Sequence, residues 1–580
     1  MYTEEELREI EKQRKEWEEG PLRKSLQRFG LADNPTKFCT PLDVKNFSFL
    51  DRVGFPGEYP FTAGKYGVNM PPGLLEMGLG MASGGRAPAG GYSGYGTAED
   101  TRDHYKNMQA LGMMTGPNIA FDLPTQCGYD SDDASARGEV GKVGVAVDTL
   151  HDFEIIYEAF TDSLEIDKIS SNWTINGMTN IIIAMYIAIA EKRGVSLDKL
   201  RATPQNDILK EYIARGTYTF PIKSSMRMTR DTIAYCTKNM PNMNTISISG
   251  YHIREAGASP AQVLAFTLSD GIAYMQEGVN AGLDIDSFAP RTTFLNFGGT
   301  MEVYREIALY RALRRVWGKI MKDRFHAKNP RSWMLRGIGG PMGCSVTTAQ
   351  RPLNNLSRGV IQGVASALCG EIPAGGAPFD EPLGLGHSRE GMQLTIDAAR
   401  IMVCEARLCD VSDPVAGSFF FEALTDEIEQ EGWDLINKID EMGGAPAAIE
   451  KGFPQREIAR SAHEWQRQIE VGERTVVGVN KFVGEQELDV IPQTIVEHPY
   501  DPIKRSAAEE KQIARLTNIK KERDNEAVQA SLKRLKEAAQ DDSVNLIPPL
   551  VESVKLYASL GEMTRTLKEV FGEYQSYGNI

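Results

Sequence analysis

The sequence predicts an α/β fold: a (β/α)8 TIM barrel with an N-terminal extended arm and a C-terminal helical segment. Three observations carry that expectation. Short runs at 168–176 and 244–249 alternate small polar with apolar residues, the period of two that a strand requires. From 92 to about 415, such runs alternate with helix-length stretches in about eight strand–helix units, the pattern of right-handed crossovers over a parallel sheet. After about 415 the alternation stops and helix-period sequence takes over.

The run 244–258, NTISISGYHIREAGA, organises the rest. Thr245, Ser247 and Ser249 alternate with Ile246 and Ile248, so one face is polar and the other apolar. Gly250 ends the strand, and Tyr251 and His252 follow at its C-terminal end, where barrel chemistry sits. Barrel interiors are normally filled by bulky branched side chains. Small hydroxyls pointing inward leave room along the axis. The run 168–176 repeats the pattern, with Ser170, Asn172 and Thr174 opposite Ser171, Trp173 and Ile175.

Three regions follow from this rhythm. Region 1–60 is an N-terminal helix and an extended arm with Pro35, Pro41, Pro56 and Pro60, wrapping either its own surface or a partner subunit. Region 61–420 is the barrel. It opens with a Gly-, Ala- and Pro-rich stretch at 61–91, read as a loop over a cleft or a disordered insertion. Strands are expected at 118–123, 168–176, 202–205, 244–249, 288–294, 333–337, 369–373 and 408–411. Helices are expected at 100–114, 147–160, 178–193, 207–214, 231–239, 261–279, 303–324, 353–367 and 390–406. Gly194 stops the third helix, and the fourth has acid in its first turn and base at its end. Region 421–580 is helical: 421–442, a highly charged helix at 507–539 that is either a solvated face or a subunit contact, and two amphipathic helices within 546–573.

Composition narrows the function. A chain of 580 residues with 41% hydrophobic and 25% charged content suits a globular protein with segments appended to one core. The net charge, 64 − 79 = −15, argues against general nucleic-acid binding, so an anionic ligand needs local basic groups. Seven cysteines without framework spacing suggest reduced thiols in a cytoplasm, and Cys404 and Cys409 lack zinc-site spacing, so no metal is expected. The charged N-terminus is no signal peptide, and the longest apolar run, 181–190, is too short to span a bilayer.

Six stretches carry a resemblance: YSGYGTAEDT at 92–101, NIAFDLPTQCGYDSD at 118–132, GEVGKVGVAVD at 138–148, QNDILKEYIARGTY at 205–218, SISGYHIREAGA at 247–258 and FAPR at 288–291. The sequence resembles the large chain of adenosylcobalamin-dependent acyl-CoA mutases, the methylmalonyl-CoA mutase group, over roughly 45–485 and more weakly to the end. The resemblance implies radical isomerisation of an acyl-CoA whose pantetheine arm runs along the barrel axis, in an intramolecular transferase.

It also implies roles. Tyr92 helps displace the adenosyl group and touches substrate, His252 hydrogen-bonds the thioester carbonyl, and Gln205 lies near that thioester. Arg215 pairs with a free substrate carboxylate; it is placed with Phe121, Glu255 and Glu381 among cofactor-facing positions. Phe121 packs by the corrin, and the two glutamates bond the adenosyl ribose. Arg291 is expected near the active site. Arg215, with Ala120 where 2-hydroxyisobutyryl-CoA mutases place aspartate, points to a dicarboxylic acyl group.

Departures refine this. The cobalamin-binding Asp-x-His-x-x-Gly loop is absent, since none of the seven histidines, at 104, 151, 252, 326, 387, 463 and 498, stands in one. A separate small cobalamin-binding subunit is therefore expected, in a cytoplasmic hetero-oligomer with no nucleic-acid or membrane partner, and the resemblance admits a G-protein chaperone. In RGIGGPMGCSVTT at 336–348, Ile338 and Gly340 take the family's His and Gln positions, and 292–303 and 375–386 are also altered. Glycine there is read as added pocket volume. The expected substrate is then a bulky substituted succinyl-CoA rearranging to a substituted malonyl-CoA, such as phenylsuccinyl-CoA to benzylmalonyl-CoA, with Gly340 in the substrate site. Methylmalonyl-CoA mutase activity proper, or a non-catalytic acyl-CoA-binding scaffold for the cobalamin subunit, are the alternatives. Between Lys65 and Tyr92 only Arg86 is basic, so Lys328 or Arg331 are candidates for the CoA phosphates.

Overall fold

The structure, a computed structural model, describes residues 2–33, 37–44, 47–67, 93–110, 114–337, 339–373, 376–383, 389–484 and 502–575. Five short strands form its sheets: β1 Asn118–Ala120, β2 Ser171–Thr174, β3 Ala202–Pro204, β4 Ile246–Ile248 and β5 Thr292–Phe294. β1–β2–β3 and β4–β5 pair in parallel. Ser93 bridges to Ile119 ahead of β1, and Gly337 bridges to Phe294 beyond β5. The Asn244 and Ser247 N–H groups donate to the Ala202 and Gln205 carbonyls, both at 2.9 Å, and so carry β3 to β4. Pro204 has no N–H to give that ladder, which suits the irregular pairing there. Strand positions from Ser93 to Gly337 thus lie side by side in chain order, with helices between them, as successive βα units demand.

Register decides which side chains share a face. Asn118, Asn172 and Thr203 are partners across β1, β2 and β3, and Ser247 pairs with Thr293 across β4 and β5. The opposite face carries Ile119, Trp173, Ile246, Ile248 and Phe294, all buried beneath helices. Trp173 lies edge-on to Tyr186 at 4.9 Å, and Phe294 edge-on to Trp317 at 5.0 Å. The apolar driving force therefore holds the strands to the helix layer. It leaves a row of small polar residues on the other face, as the alternation in 168–176 and 244–249 predicts.

Several expected elements differ. The stretches 369–373 and 408–411 are not strands, and the sheet does not close on itself among the described residues. Gly370 lies at φ +79°, and Glu371 is drawn into ion pairs with Lys65 (2.6 Å) and Arg314 (2.9 Å) instead of a ladder. The Leu408 N–H folds back to Met402 O, so 408–411 closes a helix end. Strand 288–294 begins only at Thr292, because Asp284 caps a short helix, Ile285–Phe288, and Pro290 continues as a tight turn. Of 333–337, Gly337 alone pairs. The helix at 507–539 is two, Pro502–Glu522 and Asn525–Gln540, because Asp524 caps the second through the Ala527 N–H.

The terminal regions pack on the chain's own centre. Arg52 and Lys37 of the arm pair with Asp426 and Glu427 of helix Phe419–Glu441. Helix Pro502–Glu522 neither stands free nor presents only a solvated face: Gln512 and Arg515 reach Asp148 and Asp152 at 2.8 and 2.7 Å. Helix Val303–Lys319 carries Arg311, Arg314 and Arg315, all buried, each paired with acids from 371–429. No helix of the described residues is long and apolar enough to cross a membrane.

Candidate active site

The C-terminal ends of β2, β3 and β4 bring together residues far apart in sequence. β2 leads to Asn176, β3 to Gln205, Asp207, Lys210, Glu211 and Arg215, and β4 to Ser249, His252 and Glu255. Asn206 turns the chain at φ +52°, a conformation asparagine tolerates, and its amide donates to Thr245 O at 3.1 Å. The turn Glu211–Arg215 is π-helical and ends at Gly216, φ +88°.

Glu211 is the hub. Its Oε1 accepts from Asn176 Nδ2 (2.7 Å), Arg215 Nη1 (3.2 Å) and Lys210 Nζ, while its Oε2 accepts the Thr217 N–H (3.0 Å) and hydroxyl. Burial pushes the Glu211 carboxyl up, but the Lys210 and Arg215 cations outweigh it and hold it below the usual range. Burial also lowers the Lys210 ammonium, against the pull of Glu211. Arg215 Nη1 also donates to Gln126 Oε1 at 2.7 Å. Its Nη2 and Nε have no hydrogen-bond partner among the described residues, and its side chain is 22% exposed. A guanidinium with a free edge can take a carboxylate through two bonds.

Ser249 Oγ lies 3.2 Å from His252 Nδ1. Burial, then the positive charges of Lys210 and Arg215, hold the imidazole well below its usual pKa, so His252 is neutral. Asp207 accepts the Ser249 N–H at 2.7 Å and the Tyr274 hydroxyl at 2.7 Å, and burial raises its pKa to about 6. Three residues past His252, Glu255 Oε2 accepts the Ser345 N–H at 2.9 Å. Its Oε1 is buried without a partner among the described residues, and burial raises the group. Glu255 lines a cleft of about 1520 Å³ between Ser259, Thr348, Arg358 and Trp465. Glu381 stands in the turn Glu381–Leu383, and its charge, like that of Glu255, is felt at the Cys344 thiol.

Other expected residues lie elsewhere. Tyr92 and Ile338 fall outside the described residues. Phe121 packs into the helix-side core, 6.4 Å from Phe153, and reaches the site only through its carbonyl, which holds Gln126 Nε2 at 2.7 Å. Arg291 precedes β5 and so stands at the opposite end of the strands from His252, donating to Asn242 Oδ1 at 3.2 Å. Burial, then Arg336, Arg331 and Arg201, push its pKa down. A cleft of about 200 Å³ there is lined by Thr245, Arg291 and Arg331.

Gly340 does not open a pocket. A Cβ on it would lie 2.3 Å from Ser366 Oγ and 2.4 Å from Ser366 Cβ. At Gly343 it would meet Gly299 O at 2.4 Å, and at Gly299 it would meet Met342 N at 2.7 Å. At these three positions the space a side chain would take is filled, so they serve close backbone approach; Gly339 has only Met342 Cε within 4 Å, and Gly375, Gly384 and Gly386 fall outside the described residues. Lys210, Glu211, Asn176 and Gln126 were missed as site residues. Adjacent Lys210 and Glu211 just past a strand's C-terminal end, where burial is expected, were the available signal.

The sequence matches the methylmalonyl-CoA mutase family over residues 36–573. The chain belongs to this family. It is 38% identical over 576 residues to the 2-hydroxyisobutanoyl-CoA mutase large subunit of Aquincola tertiaricarbonis, covering 98% of this chain and 97% of that one. It is 41% identical over 485 residues to the methylmalonyl-CoA mutase of Escherichia coli strain K12, covering 83% of this chain and 65% of that enzyme. With the human mitochondrial methylmalonyl-CoA mutase it shares 36% over 523 residues, covering 90% of this chain and 66% of that enzyme. It therefore spans about two thirds of the length of those two methylmalonyl-CoA mutases.

This acyl-CoA mutase is an intramolecular transferase whose family depends on adenosylcobalamin. One feature fits that cofactor: Glu255 lines a large cleft, and its Oε1, without a hydrogen-bond partner among the described residues, is an acceptor suited to a ribose hydroxyl. In this mutase, Gly340→Ala is expected to cost about 1–3 kcal/mol through overpacking against Ser366. The loss is read as a lower unfolding midpoint with unchanged acyl-CoA preference. Unchanged stability with altered preference would return Gly340 to the pocket.

Proposed function

We propose that the chain is the substrate-binding large subunit of a mutase that rearranges an acyl-CoA bearing a free carboxylate. The free edge of Arg215, next to neutral His252, supports this most directly. Arg215 grips the carboxylate, while His252 and Gln205 donate to the thioester oxygen, where charge develops during migration. Adenosylcobalamin, when bound, supplies the radical that removes a substrate hydrogen. Glu255 and Glu381 hold its ribose, and Tyr92 takes the adenosyl-displacing role that the resemblance implies. The chain's own groups bind, orient and exclude water.

In this reading region 61–420 is a closed (β/α)8 barrel, with the arm at 1–60 and the helices at 421–580 outside it. The inner row Asn118, Asn172, Thr203, Ser247 and Thr293 gives the pantetheine arm a path. Arg201, Arg291, Arg331 and Arg336, at the other end, meet the CoA phosphates. The relative named a large subunit supports a small cobalamin-binding subunit as partner, in a cytoplasmic hetero-oligomer.

A substituted succinyl-CoA such as phenylsuccinyl-CoA remains one member of this substrate class. The close-packed glycines favour a second reading, methylmalonyl-CoA mutase activity proper. Arg215 and Ala120 weigh against 2-hydroxyisobutanoyl-CoA. The test supplies the small subunit and adenosylcobalamin, then offers methylmalonyl-, phenylsuccinyl-, butyryl- and 2-hydroxyisobutanoyl-CoA separately, with isomers resolved by chromatography and mass spectrometry. Turnover confined to carboxylate-bearing substrates is expected. Turnover of butyryl- or 2-hydroxyisobutanoyl-CoA alone overturns the Arg215 assignment, and no turnover brings forward a non-catalytic scaffold.

A further inference from the structure

Lys210 has no exposed side-chain surface. An ammonium donates three hydrogen bonds and accepts none, so when buried it must be met by acceptors. Its Nζ contacts Gln205 Oε1 at 2.8 Å and Glu211 Oε1. Gln205 Oε1 receives a second donor, Asn176 Nδ2, at 3.0 Å. The Asn176 amide is itself oriented, because its Oδ1 accepts the Asp207 N–H at 3.0 Å.

We infer that Lys210 is a positioning residue that fixes which end of the Gln205 amide faces the substrate. Turning that amide over would set its NH2 against an ammonium and against the Asn176 NH2, leaving buried donors without acceptors. Gln205 Oε1 therefore stays on Lys210, and Nε2, which has no acceptor among the described residues, stays available as a donor. Glu211 Oε1 is shared by Asn176, Lys210 and Arg215, so one buried carboxylate braces both the group facing the thioester and the group facing the substrate carboxylate. This rests on the reading of Gln205 as a thioester ligand.

The test uses the full chain without cofactor, so that bound acyl-CoA does not react. Succinyl-CoA with a ¹³C thioester carbonyl is the probe, and methylmalonyl-CoA labelled in the same way is the second. Isotope-edited infrared spectra compare the free and bound carbonyl stretch. Binding to the unaltered chain is expected to lower the frequency. Gln205→Met and Lys210→Met are expected to lose the same part of that shift, and the double variant no more, because the two act through one bond. Lys210→Arg, still a donor only, is expected to keep the shift. A full shift in Lys210→Met, with Gln205→Met reduced, overturns the role of Lys210 and leaves Gln205 in place. A full shift in Gln205→Met overturns the thioester reading and this inference with it. If circular dichroism shows Lys210→Met unfolded, Lys210→Gln replaces it. Its amide donates to Glu211 but also accepts, so it no longer dictates the Gln205 orientation. A shift between those of the unaltered chain and Gln205→Met is then expected, and a full shift again overturns the inference.

Discussion

Replacing His252 with alanine is expected to lower kcat by about 10²–10³-fold, the loss typical of one preorganised donor to a developing oxyanion. The geometry supports so large an effect. The imidazole is neutral, so it has one N–H to place, and Ser249 Oγ at 3.2 Å occupies the Nδ1 side. Arg215 is untouched by the substitution, so KM for a carboxylate-bearing acyl-CoA should change far less than kcat. The pH dependence has a definite sign. The folded pKa lies well below the unfolded value of about 6.5, so this histidine should leave kcat flat through neutral pH. As pH falls below about 6.5, the unfolded chain takes up the proton first, so this residue lowers stability in acid and not above neutrality. Steady-state kinetics of the complete enzyme from pH 5.5 to 8, on both proteins, provide the check. A variant retaining most of its kcat would remove His252 from the chemistry.

Arg311→Met should be the most destabilising single change outside the site, by about 3–5 kcal/mol. Arg311 has no exposed side-chain surface; its Nη1 pairs with Asp413 and its Nη2 with Glu422 at 2.6 Å. Methionine fills much of the space but leaves two buried carboxylates without their cation. Burial already raises the Asp413 carboxyl against the pull of Arg311, so loss of the cation raises it further. The arginine ties helix Val303–Lys319 to helix Phe419–Glu441, and its loss should therefore loosen both. Denaturant unfolding followed by circular dichroism is the measurement. Asp413→Asn with Glu422→Gln in the same background should recover part of the loss, since neutral amides carry a smaller desolvation penalty. A midpoint equal to that of the unaltered chain would mean that water reaches these acids.

Much of this was legible in the sequence because it depends on local periodicity and local chemistry. Alternation in 244–249 sorts Ile246 and Ile248 from Ser247 whatever lies above them, since side chains on a strand point alternately to either side. The placement of His252 just after a strand, and of Gln205 and Arg215 around the end of another, follows from the same rhythm. The family was legible because six stretches recur in order, which needs no coordinates.

Tertiary structure decided the rest, because those properties depend on partners distant in sequence. Gly340 read as empty space until Ser366, 26 residues on, was found to occupy it. The resemblance of FAPR sets Arg291 near the active site, yet the direction of β5 places it at the opposite end from His252. The helix expected at 207–214 gives Lys210 and Glu211 no role, and only the tertiary structure buries them and joins them to Asn176 and Arg215. The sequence by itself determined the periodicities, the residue types at each strand end and the family. Long-range packing alone decided which groups are neutral, which glycines are filled and which way the Gln205 amide is held, because desolvation and hydrogen-bond orientation are set by neighbours in space.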